Sequence, residues 1–99
     1  MKRMKTTDLT EKGHIEKVGA TKYGRAYAYA ELEARQDSRL VGLDKIRSAI
    51  AHEAALLATG FPARPFILPR RAGAAREEMQ FIAEEVLARA IEKAREKVA

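Results

Sequence analysis

The sequence contains no cysteine, and only two of its 99 residues are histidine. The lack of cysteine excludes disulfide bonds, thiolate nucleophiles and cysteine-ligated metal ions. No run of apolar residues approaches the ~20 that a membrane-spanning helix requires. The basic start Met1–Lys5 is followed by polar residues, where a signal peptide would have its apolar stretch. We therefore expect no membrane contact and synthesis in the cytoplasm.

Groups that could perform chemistry are also scarce. His52-Glu53 resembles the start of a zinc-protease motif, but Leu56 occupies the position at which a second histidine is required. The two serines, Ser38 and Ser48, lie outside any Gly-x-Ser-x-Gly turn, and the six glycines are too scattered to form a phosphate-binding loop. The sequence therefore predicts a protein that is not an enzyme, with no catalytic residue, no metal site and no cofactor.

Large apolar side chains are fewer than the hydrophobic content suggests. Hydrophobic residues make up 46% of the chain, but 19 of them are alanine, which leaves 27 large apolar side chains. A chain of this length forms one small domain, and so few large side chains give it only marginal stability on its own. We expect it to bury further surface against copies of itself or against partners.

The net charge of +5 is concentrated in two places. Residues 1–25 carry seven Lys and Arg against three acids, and residues 61–73 carry three arginines and no acid. Basic segments of this kind suit nucleic acid or an acidic face on a protein. The candidate basic contacts are Lys2, Arg3, Lys5, Arg70 and Arg71.

The pattern of apolar residues predicts a β-hairpin in the first part of the chain. Residues 1–13 are polar and charged, which is typical of a basic N-terminal arm. Between residues 14 and 34, apolar side chains recur with a period of two, which indicates strands. His14–Val18 forms one predicted strand, and Tyr27 and Tyr29 would share one face of the other.

The remaining part of the chain has helical periodicity. A middle helix is predicted over 38–59, with Gly60 at its C-terminal end, and a final helix over 74–98. The apolar stripe of the final helix comprises Met79, Ile82, Ala83, Val86, Leu87, Ala90, Ile91, Ala94 and Val98. These elements predict a single small α+β domain over 14–99, in which a hairpin or small antiparallel sheet packs against the long C-terminal helix.

The connector between these two helices, residues 61–70, contains all three prolines of the chain. Proline fixes φ and lacks an amide proton, so neither a helix nor a central strand can run through the connector. A stiff segment loses little entropy when it docks, and exposed aromatic and arginine side chains often anchor interfaces. We predict a protein-interface site at Pro62, Arg64, Pro65 and Phe66. A connector that packs back onto its own core is the alternative.

The connector also carries a resemblance to a known family. Gly60-Phe61-Pro62-Ala63-Arg64-Pro65-Phe66-Ile67, followed by an Ala/Glu/Lys-rich final helix, resembles the end of tail-completion proteins of tailed phages. These are also called head–tail joining proteins or minor tail components. Val18-Gly19 and Tyr29-Ala30-Glu31-Leu32 are similar to a further stretch of the family. The chain departs from it where the family has a long N-terminal helix, and at Glu33-Ala34, where a glycine is usual.

The resemblance implies a structural virion protein of the neck or tail, made in the host cytoplasm. Such proteins assemble into homo-oligomeric rings, often of six copies, between the head connector and the tail tube. The partners would then be further copies of the chain and the connector and tail-tube proteins of the phage. The basic arm would contact an adjacent ring or the DNA that passes through the channel.

Two other classes of protein remain open from the residues themselves. A small basic nucleic-acid-binding protein would use the cations of the first 25 residues, and its binding would fall steeply with salt. A partner in a one-to-one heterodimer would use the final helix and would form no ring.

Overall fold

A computed structural model of the chain describes residues 21–68 and 76–99, and these ranges contain three α-helices. The elements are α1 (Lys22–Arg35), a 3-10 turn (Ser38–Leu40), α2 (Asp44–Ala58) and α3 (Arg76–Val98). Each α-helix packs against the other two. The described ranges contain no β-strand, so the predicted α+β fold is wrong.

Helix α1 occupies most of the region that was predicted to be a β-hairpin. Thr21 caps its start, because the Thr21 hydroxyl accepts a hydrogen bond from the Gly24 amide (2.9 Å). Ala26, Ala30 and Ala34 recur at every fourth position and are completely buried. The alternation of alanine with tyrosine has the period of a strand, but alanine has the highest helix propensity and its small side chain permits close helix packing.

The helix separates the two tyrosines that the strand prediction placed on one face. Tyr27 packs against the core, and its ring centroid lies 6.0 Å from that of Tyr23, one turn earlier. Tyr29 instead faces α3, where the Lys97 ammonium lies 5.2 Å from the centre of its ring. The predicted strand His14–Val18 lies outside the described residues.

The predicted middle helix begins later than expected. The 3-10 turn buries Leu40 completely, and Gly42 then takes a φ of +80°. This left-handed conformation is costly for other residues, and it interrupts the helix that was predicted to start at residue 38. Helix α2 therefore begins only at Asp44 and buries Ile46 and Ile50.

Helix α2 ends in a Schellman motif, which directs the chain into the connector. The Phe61 amide donates a hydrogen bond to the Leu56 carbonyl (3.0 Å), and the Gly60 amide donates one to the Leu57 carbonyl (3.3 Å). Gly60 takes a φ of +102°, as the glycine of this motif commonly does. From Phe61 to Leu68 the chain has no helix or strand, as the prolines predict.

Helix α3 lies within the range predicted for the final helix. All nine residues of its predicted apolar stripe are buried in the core or packed against it. Across the described ranges, alanine supplies nine of the fifteen buried hydrophobic residues. Because an alanine side chain is a single methyl group, such a core favours close approach of the helices over the burial of large side chains.

This packing predicts that enlarging a core alanine will destabilise the protein. Ala90→Leu places a larger side chain at a completely buried position, and we expect the free energy of unfolding to fall by about 1–3 kcal/mol. Ala88→Leu makes the same change at an exposed position of α3, where we expect a change within about 0.5 kcal/mol. Urea unfolding followed by circular dichroism measures both, and equal effects would contradict an alanine-packed core.

Candidate protein interface

Residues 61–68, termed here the extended segment, follow α2 and lie against α3. Phe66 is half-buried against the core, and Leu68 is only 2% exposed. The Gln80 carboxamide accepts a hydrogen bond from the Leu68 amide (2.9 Å) and donates one to the Phe66 carbonyl. Arg76 donates another to the Leu68 carbonyl (3.1 Å). Side chains of α3 thus pair with the backbone of the extended segment much as a neighbouring strand would.

Arg64 joins the middle of the extended segment to α2. Its Nε lies 3.2 Å from both carboxylate oxygens of Glu53, and its Nη2 lies 3.0 Å from Oε1. The Glu53 side chain is 6% exposed, and a buried carboxylate without a partner would cost considerable free energy. The adjacent carboxylate raises the pKa of Arg64, so the guanidinium stays charged and holds the carboxylate in place.

The outward side of the extended segment is apolar and exposed. Phe61 and Ile67 are 57% and 66% exposed, and Pro62 and Pro65 are exposed beside them. Neighbouring side chains of an extended chain point to opposite sides, so the inward position of Phe66 directs Ile67 toward solvent. The segment therefore has a fixed inner side and an apolar outer side.

The predicted interface residues divide between these two sides. Pro62 and Pro65 are exposed, and Arg64, whose side chain is 58% exposed, pairs with Glu53 of α2. Phe66 packs against the core. Ile67 was not predicted, although the run of three apolar residues in an extended connector already implies that the middle one points away from the other two. The predicted basic contacts Lys2, Arg3, Lys5, Arg70 and Arg71 all lie outside the described residues.

A second cluster, of charged side chains, joins the region after α1 to α3. The Asp37 carboxylate, 8% exposed, accepts hydrogen bonds from Arg39 (2.8 Å from Nη2) and from Arg89 of α3 (2.9 Å). Arg39 also pairs with Glu85 (2.8 Å), and Arg89 with Glu33 (3.6 Å). The hydrogen bonds from Arg39, opposed in part by burial and reinforced by Arg89, hold the pKa of Asp37 well below its ordinary value. Each member has a partner within the chain, so we interpret the cluster as a structural connection.

The third candidate is a tyrosine–histidine pair between α1 and α2. The Tyr23 hydroxyl lies 2.6 Å from His52 Nδ1, and the two rings meet edge to face with centroids 5.8 Å apart. Burial raises the pKa of Tyr23, and the nearby Tyr27 adds to this effect, so the hydroxyl remains protonated. No described carboxylate orients His52. The pair therefore lacks the activated nucleophile and the oriented base of a catalytic site.

Neither a metal site nor a membrane span is found within residues 21–68 and 76–99. No three His, Asp or Glu side chains there come together in an arrangement that could hold a metal ion. None of the helices in that part of the chain is long and apolar enough to cross a membrane.

Comparison of the chain with known protein families, with characterised proteins and with solved structures finds no match. The function is therefore inferred from the geometry of the chain and from the resemblance in its sequence. The extended segment is the strongest candidate, because it combines a fixed backbone with exposed apolar side chains.

The pair between Arg64 and Glu53 generates a prediction about stability. Arg64→Ala is expected to destabilise the protein, because it leaves the Glu53 carboxylate buried without a partner. Arg64→Met combined with Glu53→Met removes both charges, and we expect it to recover most of the lost stability. Arg95→Ala is the control, since Arg95 is exposed and pairs with no described residue. The urea midpoint of each variant is the measurement; a double variant as unstable as the single one would contradict this account.

The lowered pKa of Asp37 predicts a dependence of stability on pH. A carboxyl group whose pKa is lower in the folded state stabilises the protein above its unfolded pKa of about 3.9, and this contribution is lost as the pH falls toward the folded value. We expect Asp37→Asn to flatten the loss of stability between about pH 5 and 2. Glu92→Gln is the control and should leave the slope unchanged, because Glu92 is exposed and has no ion pair with any described residue. Urea unfolding across this pH range tests it, and equal slopes for both variants would contradict the role of Asp37.

Proposed function

We propose that this protein is a structural subunit that assembles with protein neighbours through the extended segment. One observation carries the proposal. The segment is fixed on its inner side by Gln80, Arg76 and Glu53, while its outer side presents Phe61 and Ile67 to solvent.

The fixed backbone of the extended segment favours binding energetically. Its carbonyl and amide groups at Phe66 and Leu68 already have hydrogen-bond partners, so docking orders little additional chain. Aromatic side chains are enriched at protein interfaces, and an exposed phenylalanine such as Phe61 gains from losing its contact with water. These properties are typical of a preformed docking element.

The composition of the core also favours assembly. Burial of a methyl group stabilises a protein less than burial of a large side chain does, and most core residues here are alanine. Association with a neighbour would add apolar burial that a single copy lacks, and binding of the folded form stabilises it by mass action.

The resemblance to tail-completion proteins gives this proposal its most concrete form. The stretch from Pro62 to Phe66 and the helix that follows correspond to the extended segment and α3. Tyr29–Leu32, the second part of the resemblance, lies in α1 and not in a hairpin, so it adds no support. On the first part we propose a virion subunit of a phage neck or tail that forms a homo-oligomeric ring, six copies being the number implied, between connector and tail-tube proteins.

The nucleic-acid-binding alternative depends on other parts of the chain. The described ranges carry twelve Lys and Arg against eleven Asp and Glu, whereas the other residues carry seven against three. The positive charge that suggests nucleic acid is therefore concentrated in residues 1–20 and 69–75. The described geometry favours the protein interface, and a role in assembly rather than in catalysis.

The proposal predicts that Phe61→Ser combined with Ile67→Ser will weaken assembly. Both side chains point to solvent, so we expect the free energy of unfolding to change by no more than about 0.5 kcal/mol. Loss of two apolar anchors should raise the dissociation constant about tenfold or more. Light scattering over a concentration series at two salt levels measures the mass of each variant.

Val41→Ser is the control, because Val41 is 71% exposed and lies outside the extended segment. Arg64 and Phe66 are unsuitable for this test, since changing them disturbs α2 and the core. A wild-type protein that stays monomeric at every concentration would contradict the proposal, as would a double variant that assembles normally. Co-purification with nucleic acid until the salt is raised would favour the alternative.

A further inference from the structure

Phe81 is a large apolar side chain on the outward face of α3. It is 61% exposed, although the residues on the opposite face of the helix are buried. On a helix surface, the neighbours of a residue are those three and four positions away. For Phe81 all four of these neighbours are exposed glutamates: Glu77, Glu78, Glu84 and Glu85. We call these five residues the acidic aromatic patch.

The contacts within the chain leave part of this patch without a partner. Glu85 pairs with Arg39 (2.8 Å), and Glu84 accepts a hydrogen bond from the Gln80 carboxamide (2.9 Å). Glu77 and Glu78 make no hydrogen bond or ion pair with any described residue. Acids in the first turn stabilise a helix through its dipole, but this effect does not involve the aromatic ring between them.

We propose that the acidic aromatic patch binds the basic segment Met1–Lys5 of a second copy of the chain. This inference rests on the self-association proposed above. The segment supplies three cations, Lys2, Arg3 and Lys5, which complement the glutamates of the patch. Its methionines, Met1 and Met4, have flexible thioether side chains that pack favourably against aromatic rings. An arginine can also stack on such a ring.

The patch lies far from the point at which the chain enters α1. Tyr29 of α1 contacts Lys97 and Glu33 of α1 contacts Arg89, so the two helices are antiparallel and α1 starts close to the C-terminal end of α3. Phe81 lies sixteen residues before Lys97 on α3, about 24 Å away at 1.5 Å per residue. Lys5 lies sixteen residues before Thr21, and an extended chain of that length spans this distance, so the choice of a second copy follows from the self-association proposed above and is tested by mixing.

A direct test uses a synthetic peptide of residues 1–12 as the probe. The receptor is the full-length variant Lys2→Gln/Arg3→Gln/Lys5→Gln, whose own segment cannot compete. We expect saturable binding that weakens as NaCl is raised from about 50 to 300 mM, because the contact is between charged groups at the surface. Adding Glu77→Gln, Glu78→Gln and Phe81→Ala to the receptor should raise the dissociation constant about tenfold or more.

The matched control receptor carries Glu92→Gln and Glu96→Gln instead, at exposed positions near the other end of α3. It loses two carboxylates from the same helix, and we expect it to bind the peptide as well as the parent receptor does. Equal weakening by the control and by the patch variant would overturn the inference. Absence of peptide binding at low salt would also overturn it.

An experiment that mixes two variants distinguishes binding between two copies from binding within one copy. The patch variant (Glu77→Gln/Glu78→Gln/Phe81→Ala) retains an intact basic segment, and the segment variant (Lys2→Gln/Arg3→Gln/Lys5→Gln) retains an intact patch. We expect an equimolar mixture of the two to associate more strongly than either variant alone. A mixture that associates no better than its components would overturn binding between copies.

The Phe61→Ser/Ile67→Ser variant keeps the patch and the basic segment. If the Phe61→Ser/Ile67→Ser variant loses assembly while the patch variant assembles normally, this inference fails and the proposed function stands.

Discussion

Close packing of three helices through alanine is the constraint on which the other features of this structure depend. Alanine at positions such as Ala26, Ala54 and Ala90 allows the helices to approach each other, but each buried methyl group contributes little hydrophobic free energy. Where the chain leaves the helices, the core holds it through single large side chains, Leu40 after α1 and Leu68 after α2. Polar side chains add to this anchoring. Asp37 is held by two arginines after α1, and Gln80 holds the extended segment after α2.

These polar contacts also explain why the extended segment has two different sides. A carboxamide pairs with the backbone on both sides of Ile67, and a buried carboxylate holds Arg64. Neither contact requires Ile67 or Phe61 to be buried, so both remain in solvent. In a protein with a larger core, these side chains could have packed inward. Here Phe66 and Leu68 pack inward, and hydrogen bonds to the backbone between them hold the segment while Phe61 and Ile67 remain in solvent.

The sequence predicted those parts of the structure that depend on one strong local signal. The stripe of α3 extends over six turns, and the prolines exclude a helix between Phe61 and Leu68. Helix α1 was missed because alternating alanine and tyrosine fit a period of two, while its three buried alanines also fit a helix; tertiary packing decided between these patterns. The pair between Arg64 and Glu53 could not be predicted, because eleven residues and a reversal of the chain separate its members.

Two outward surfaces now lie on different parts of one subunit, and this arrangement limits the assemblies that it can form. The extended segment contacts α3 through Gln80, while Phe81 lies about 100° further round the same helix. If the acidic aromatic patch binds a basic segment from another copy, donor and acceptor are different surfaces, and the contact is heterologous. Heterologous contacts form a ring when the rotation between neighbours closes, and an open filament when it does not. Such a contact uses none of the extended segment, so one subunit can contact neighbouring copies through two separate surfaces, the acidic aromatic patch and the extended segment.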